Sequence, residues 1–159
     1  MDWYEAANAY WLNTPDGIGL ELLSSEWQRE LVALMLVNRE VNNGGYLQFF
    51  VNHGREAYEY ASRSLRAISA HQMADIIDRC QAILDEYFLV QGLSADERRQ
   101  LTPNRIIGRD GQTIKKPGSV LSETVLAQVL ELSYEFMAYP DDVADLAQRH
   151  YGPLIEAGK

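Results

Sequence analysis

The sequence predicts an all-α fold, an irregular single-domain bundle of about seven or eight helices spanning residues 1–159, on three observations. Along 70–88 the apolar residues Met73, Ile76, Ile77, Cys80, Ile83, Leu84, Tyr87 and Phe88 fall in one arc of about 140° on a helical wheel. Ser25-Glu26-Trp27-Gln28 and Ser94-Ala95-Asp96-Glu97 have capping-box spacing, the serine accepting from an orphan amide while the Gln or Glu reaches back. The 159 residues suit one domain, which at this size buries about 68–70% of the surface of its unfolded chain.

Residues 2–12 predict a short helix with Trp3, Ala7, Tyr10 and Trp11 on one side, ended by Asn13-Thr14-Pro15-Asp16-Gly17. Residues 18–23 add a helical turn. The helix opened at Ser25 should run to about Asn42 and be buried nearly all round, because the run Leu31 to Val37 leaves little polar surface. Asn43, Gly44 and Gly45 stop it, since glycine supplies the backbone that a helix end needs. A short helix restarts at Tyr46 to Asn52 and ends at His53-Gly54. Ala57, Ala61, Leu65 and Ile68 then repeat at helix spacing, and the 70–88 segment follows.

After a short helix to Leu101 the composition changes. Residues 102–118 hold Pro103, Gly108, Gly111, Pro117 and Gly118 with four basic residues, Arg105, Arg109, Lys115 and Lys116. Asp110-Gly111 between Ile106-Ile107 and Ile114 suggests a small hairpin near 106–114, or else a loop. Leu121, Val125, Val129, Leu132 and Phe136 return to helix spacing. Pro140 breaks that run, and Asp141-Asp142 open a last helix with Val143, Leu146, Ala147 and Tyr151 on its apolar stripe.

Charge is the most informative total. Net charge is -9; residues 102–118 carry +3, and the rest of the chain carries -12. Such a field repels nucleic acid and anionic membranes and attracts basic proteins. The basic 105–116 segment lacks aromatics for base stacking and reads as a solvated loop, so no direct nucleic-acid contact is expected. The N-terminus has no signal-peptide character, no run approaches membrane length, and the single cysteine fits a reducing compartment, so a cytoplasmic location is expected.

Chemistry-bearing constellations are few. His53, His71 and His150 lack metal-ligand spacing, Cys80 lies on an apolar face, and Gly17-Ile18-Gly19 lacks a phosphate-loop context. No catalytic residue, metal or cofactor is assigned. Glu40, Glu56 and Glu59 could meet in space without forming a metal motif. Asn38, Asn42, Asn43, Gln48 and Asn52 form an amide cluster at the joint, read first as partners for two abutting helix ends. The alternative is an enzyme or small-molecule site at Gln48 and Asn52, with a deep pocket lined by Tyr46 and His53.

The stretch NNGGYLQFFVNHG, with the helix pair after it, resembles the core motif of a bacterial all-helical domain family long catalogued as of unknown function. The resemblance is strongest over 31–88 and rests on Asn43, Gly44, Gly45, Tyr46, Gln48, Phe49, Phe50 and Asn52 as a structural signature. The family includes a DNA-mimic protein that forms an acidic dimer and occupies a transcription factor's DNA-binding surface. The resemblance therefore implies a non-catalytic acidic protein that binds a basic DNA-binding regulator or nuclease, with a homodimer left open.

Asp75, Asp78, Asp85 and Glu86 occupy a separate arc, interrupted by Arg79, and Glu123, Glu131 and Glu135 lie opposite the apolar side of their own helix. Helix neighbours at i+3 and i+4 are roughly 5–6 Å apart, close enough to imitate part of a phosphate row. The plain alternative is a set of wetted helix faces. One helix is too short for a mimic, so Glu123, Glu131 and Glu135, or the same residues of a second subunit, are expected to extend the row into a ribbon unbroken by arginine or lysine.

Overall fold

Seven consecutive apolar residues point all round a helix, so 31–37 is stable only with neighbours on every side. The computed structural model supplies them: each residue from Leu31 to Val37 is 0% exposed. It describes residues 1–14, 19–88, 92–101, 105–107, 113–115 and 121–158, with backbone alone at 88, 105–107 and 113–115. Among the described residues seven α-helices form a single helical domain: α1 Trp3–Leu12, α2 Glu26–Gly44, α3 Tyr46–Ala67, α4 His71–Phe88, α5 Ala95–Arg99, α6 Glu123–Met137 and α7 Val143–Glu156. A 3₁₀ turn, Leu20–Leu22, precedes α2.

The buried α2 contacts α1, α3 and α6; α3 also packs on α4 and α5, α4 on α6, and α1 on α7. The predicted faces are those that face inward. Ala57, Ala61, Leu65 and Ile68 are buried, as are Met73, Ile76, Ile77, Cys80 and Leu84 of α4, whereas Tyr87 is half exposed. On α6 and α7 the buried residues include Val125, Val129, Leu132, Phe136, Val143, Ala147 and Tyr151. Burial pushes the Cys80 thiol up to about 12, so the side chain acts as a small apolar filler.

The helix ends follow the sequence closely. The Ser25–Gln28 capping box opens α2, Gln28 accepting from the Ser25 amide at 3.3 Å and from the Ser24 hydroxyl at 2.7 Å, with the Ser25 hydroxyl the looser half of the box. The short helix expected from Tyr46 does end where His53-Gly54 was expected to stop it: Gly54 has non-helical φ 81 and ψ -171, and the chain resumes as the second part of α3 after that kink. Asp2 and Glu5 form a capping box on α1 that the sequence reading did not single out. Ser94 and Glu97 cap α5 reciprocally as expected.

The hairpin expectation is met in its strands: β1 Arg105–Ile107 pairs antiparallel with β2 Thr113–Lys115, Ile106 opposite Ile114. Its Asp110-Gly111 turn lies outside the described residues, as do Arg109 and Lys116. No helix among the described residues is long and apolar enough to cross a membrane.

Candidate functional site

Gly45 makes the joint between α2 and α3. Its φ of 85 and ψ of 172 belong to a region that residues with a Cβ avoid, and its amide closes α2 onto the Val41 carbonyl at 2.9 Å. The next amide, of Tyr46, would be orphaned at the start of α3, and Ser133 Oγ on α6 accepts from it at 2.9 Å. Tyr46 is fully buried, and its hydroxyl donates to Gln81 Oε1 at 2.7 Å. Phe49 and Phe50 are buried at 0% exposure, Asn43 is exposed, and Gln48 Oε1 sits where a Cβ on Gly44 would be.

The amide cluster does something other than expected. Gln48 Nε2 and Asn52 Nδ2 both donate to Glu40 Oε2, at 2.8 and 3.0 Å, so they hold a buried carboxylate and leave the helix ends alone. Arg39 Nη2 lies 3.3 Å from the other oxygen and His53 Nε2 3.4 Å from it, the latter without a well-aligned hydrogen bond. Asn42 caps inward to the Asn38 carbonyl at 2.7 Å and donates to the Tyr139 hydroxyl at 2.8 Å. Burial would raise the Glu40 pKa, but the two amides and His53 outweigh it and hold the carboxyl below its ordinary range. Glu56 and Glu59 are exposed and do not join it, and no three-residue metal-binding cluster occurs among the described residues.

His53 lies against Trp11 and Phe49, with ring centroids 5.6 and 5.8 Å away. Burial lowers its pKa; Glu40 opposes that shift, while Arg39 and Arg98 add to it. A folded-state value below the unfolded one means that the native state resists protonation. Stability is therefore lost as pH falls through the ordinary imidazole value of 6.5 and levels off below the depressed one. The urea midpoint is expected to drop between about pH 7.5 and about pH 5.5 in the native sequence, and to drop less in His53→Phe. Equal drops in both proteins would remove His53 from this role.

The seven predicted carboxylates separate into two groups. Asp75, Asp78 and Asp85 turn toward α3. Asp78 accepts from Tyr58 at 2.9 Å and Ser62 at 2.7 Å and pairs with Arg66, which also reaches Asp75 at 3.0 Å. Asp85 pairs with Arg55 at 2.5 Å and accepts from buried Gln81 at 2.9 Å, closing a chain of hydrogen bonds back to Tyr46. The expected unbroken ribbon is thus corrected: Arg55 and Arg66 sit within it, because two docked helices at this register satisfy charge against charge.

Glu86, Glu123, Glu131 and Glu135 are exposed on the α4 and α6 side. Glu86 lines one hollow with Tyr87, Ser122 and Gln128, and Glu131 and Glu135 line the next with Arg79 and Gln128. Arg79 lies 3.5 Å from Glu135, while Glu86 and Glu131 have no ion pair among the described residues.

A groove of about 240 Å³ opens where the joint meets α6. It is lined by Tyr46, Leu47, Gln48, Val51 and Asn52 on one side and by Leu126, Val129, Leu130 and Ser133 on the other. It is an open groove and not the deep pocket lined by Tyr46 and His53 that the alternative expected, since His53 lies outside it.

A family model described as DMP19-like protein matches residues 21–151. The chain belongs to the DMP19-like family. That match is wider than the 31–88 core on which the resemblance was strongest, and it takes in α6 and most of α7. No curated protein and no solved structure gives a match. In this DMP19-like chain the residue that sequence reasoning placed wrongly is Glu40, eight and twelve positions before the amides that hold it. A lone acid at the end of an apolar run, followed by amides on the next helix, is the signal that pointed to it.

Proposed function

We propose that this protein is a DNA-mimic-like interaction protein that binds a basic protein partner, such as a DNA-binding regulator or nuclease, through surface carboxylates. The observation that carries the reading is membership, over residues 21–151, of a family that includes the DNA-mimic protein DMP19. The acidic excess supports it, since a net -9 chain steers toward cationic surfaces and away from nucleic acid.

The ion pairs narrow the proposed surface. Asp78 and Asp85 are committed to joining α3 and α4, so the charge offered to a partner is that of Glu86, Glu131 and Glu135, with Asp75 and Glu123 at the margin. A partner's lysines and arginines would compete with Arg79 for Glu135.

The test is affinity capture of basic proteins from the source cells, followed by titration of the captured protein with and without competing duplex DNA. The triple variant Glu86→Gln, Glu131→Gln, Glu135→Gln is expected to weaken binding about tenfold, roughly 1.4 kcal/mol, with a shallower salt dependence. Capture of no basic protein, or an affinity indifferent to the three substitutions, would end the proposal. Asp78→Asn and Asp85→Asn are unsuitable probes, because each also loosens the α3–α4 contact.

A further inference from the structure

Helices α4 and α6 pack side by side in opposite directions, and the seam between them is not closed at the surface. Arg79 meets Glu135 at one end, and Tyr87 shares a hollow with Ser122 at the other. Two hollows of about 260 and 450 Å³ lie along the seam, with Ile83 and Gln128 common to both. Their floor is apolar: Val125 and Leu132 beneath them are 3% and 5% exposed.

The walls are acidic. Glu86 stands at the wider hollow, and Glu131 and Glu135 stand at the narrower one. Against these three carboxylates the described lining residues hold one guanidinium, that of Arg79. An occupant must therefore bring an apolar stem for the floor and a cation at its tip for the walls.

Arginine meets that demand better than lysine. Its flat fork can reach a carboxylate and the Gln128 amide oxygen with separate N–H groups, and its weak hydration lets it lie near Ile83 and Leu132. The molecule already holds one example, since Arg79 lines the narrower hollow with its guanidinium 3.5 Å from Glu135 Oε2. That contact is long and the side chain is 61% exposed, so it can swing into water at little cost.

We infer that the α4–α6 seam takes arginine side chains of the basic partner, one in each hollow, and that Arg79 is a built-in competitor for the narrower one. The inference rests on the reading of the protein as a binder of basic partners. It adds which side chain the partner must bring and names a residue of this chain that holds the affinity down.

The probes are two synthetic peptides of equal length, one alternating arginine with serine and the other lysine with serine, and binding to the full chain is read by fluorescence anisotropy. The arginine peptide is expected to bind about fivefold more tightly. Arg79→Gln should tighten it about threefold further, whereas Arg149→Gln, the same charge change at an exposed residue of α7, should leave it unchanged. Gln128→Trp is charge-neutral, sits at an exposed position and fills both hollows, so it should weaken binding about tenfold. Circular dichroism verifies that the variants stay folded.

Equal binding of the two peptides, or indifference to Gln128→Trp, overturns the inference. Equal tightening by Arg79→Gln and Arg149→Gln overturns it too, because net charge alone would then set the affinity. If the Glu86, Glu131 and Glu135 substitutions weaken capture of a basic protein while Gln128→Trp does not, the charge reading survives and the arginine seats do not. If both single variants act on the peptide as expected but no basic protein is captured, the seats stand and the partner reading falls.

Discussion

Replacing Glu40 with alanine is expected to lower the unfolding free energy by about 3 kcal/mol, more than any exposed carboxylate in the molecule would cost. The residue is 8% exposed, and one oxygen accepts from both Gln48 and Asn52. Removing it leaves two amide donors and the Arg39 guanidinium without their acceptor; water reaches Asn52 and recovers part of the loss. Glu40→Gln keeps the shape and one acceptor, so it should lose about half as much. Urea denaturation of the two variants measures both, and a loss under about 1 kcal/mol in Glu40→Ala would show that the carboxylate does not organise the joint.

The acid limb carries the same test. A carboxyl whose folded-state pKa lies below its unfolded one contributes stability that is complete above the ordinary value of 4.5 and disappears as pH falls through the depressed value. Glu40→Gln should therefore show a flatter stability curve below about pH 4.5 than the native sequence. This runs at a lower pH than the His53 effect, so the two titrations separate.

Gly45→Ala is expected to cost about 2 to 3 kcal/mol. Its φ of 85 with ψ of 172 is close to glycine-only backbone, and an added Cβ would lie 3.3 Å from Ser133 Oγ, the acceptor for the Tyr46 amide. Gly92→Ala is the control, since it shares a positive φ of 73 but meets nothing within 4 Å. Thermal denaturation should place Gly45→Ala clearly below that control. Equal losses would mean that the close approach of α6 to the joint contributes nothing.

How much of this was legible depends on how local each cause is. The helices were readable because spacing of three and four along 57–68, 70–88 and 121–136 is a property of the chain alone. The Gly44-Gly45 stop was readable for the same reason, as was the interruption at Gly54. The partner of Gln48 and Asn52 was not, because Glu40 reaches them only after the chain has turned through Gly45.

The arginines among the α4 carboxylates were readable in principle. Only Ile68, Ser69 and Ala70 separate α3 from α4, so the two helices run antiparallel. Arg66, near the connection, then falls by Asp75 and Asp78, and Arg55, three turns earlier on the same face, falls by Asp85. A wheel drawn for one helix at a time omits that pairing. This is why an arc that looked acidic but for Arg79 became a mixed ladder once its neighbour was docked.

Cys80 gives the packing of α4 a chemical consequence. Its sulfur is wholly shut away and its thiol is pushed up to about 12, so peroxide or an alkylating reagent finds almost no thiolate to attack while the bundle is closed. Modification at this one sulfur must wait for helices to part, and its rate is then set by how often they do so and hardly by the dose of oxidant. Oxidation at Cys80 is in this way a readout of the bundle's own breathing.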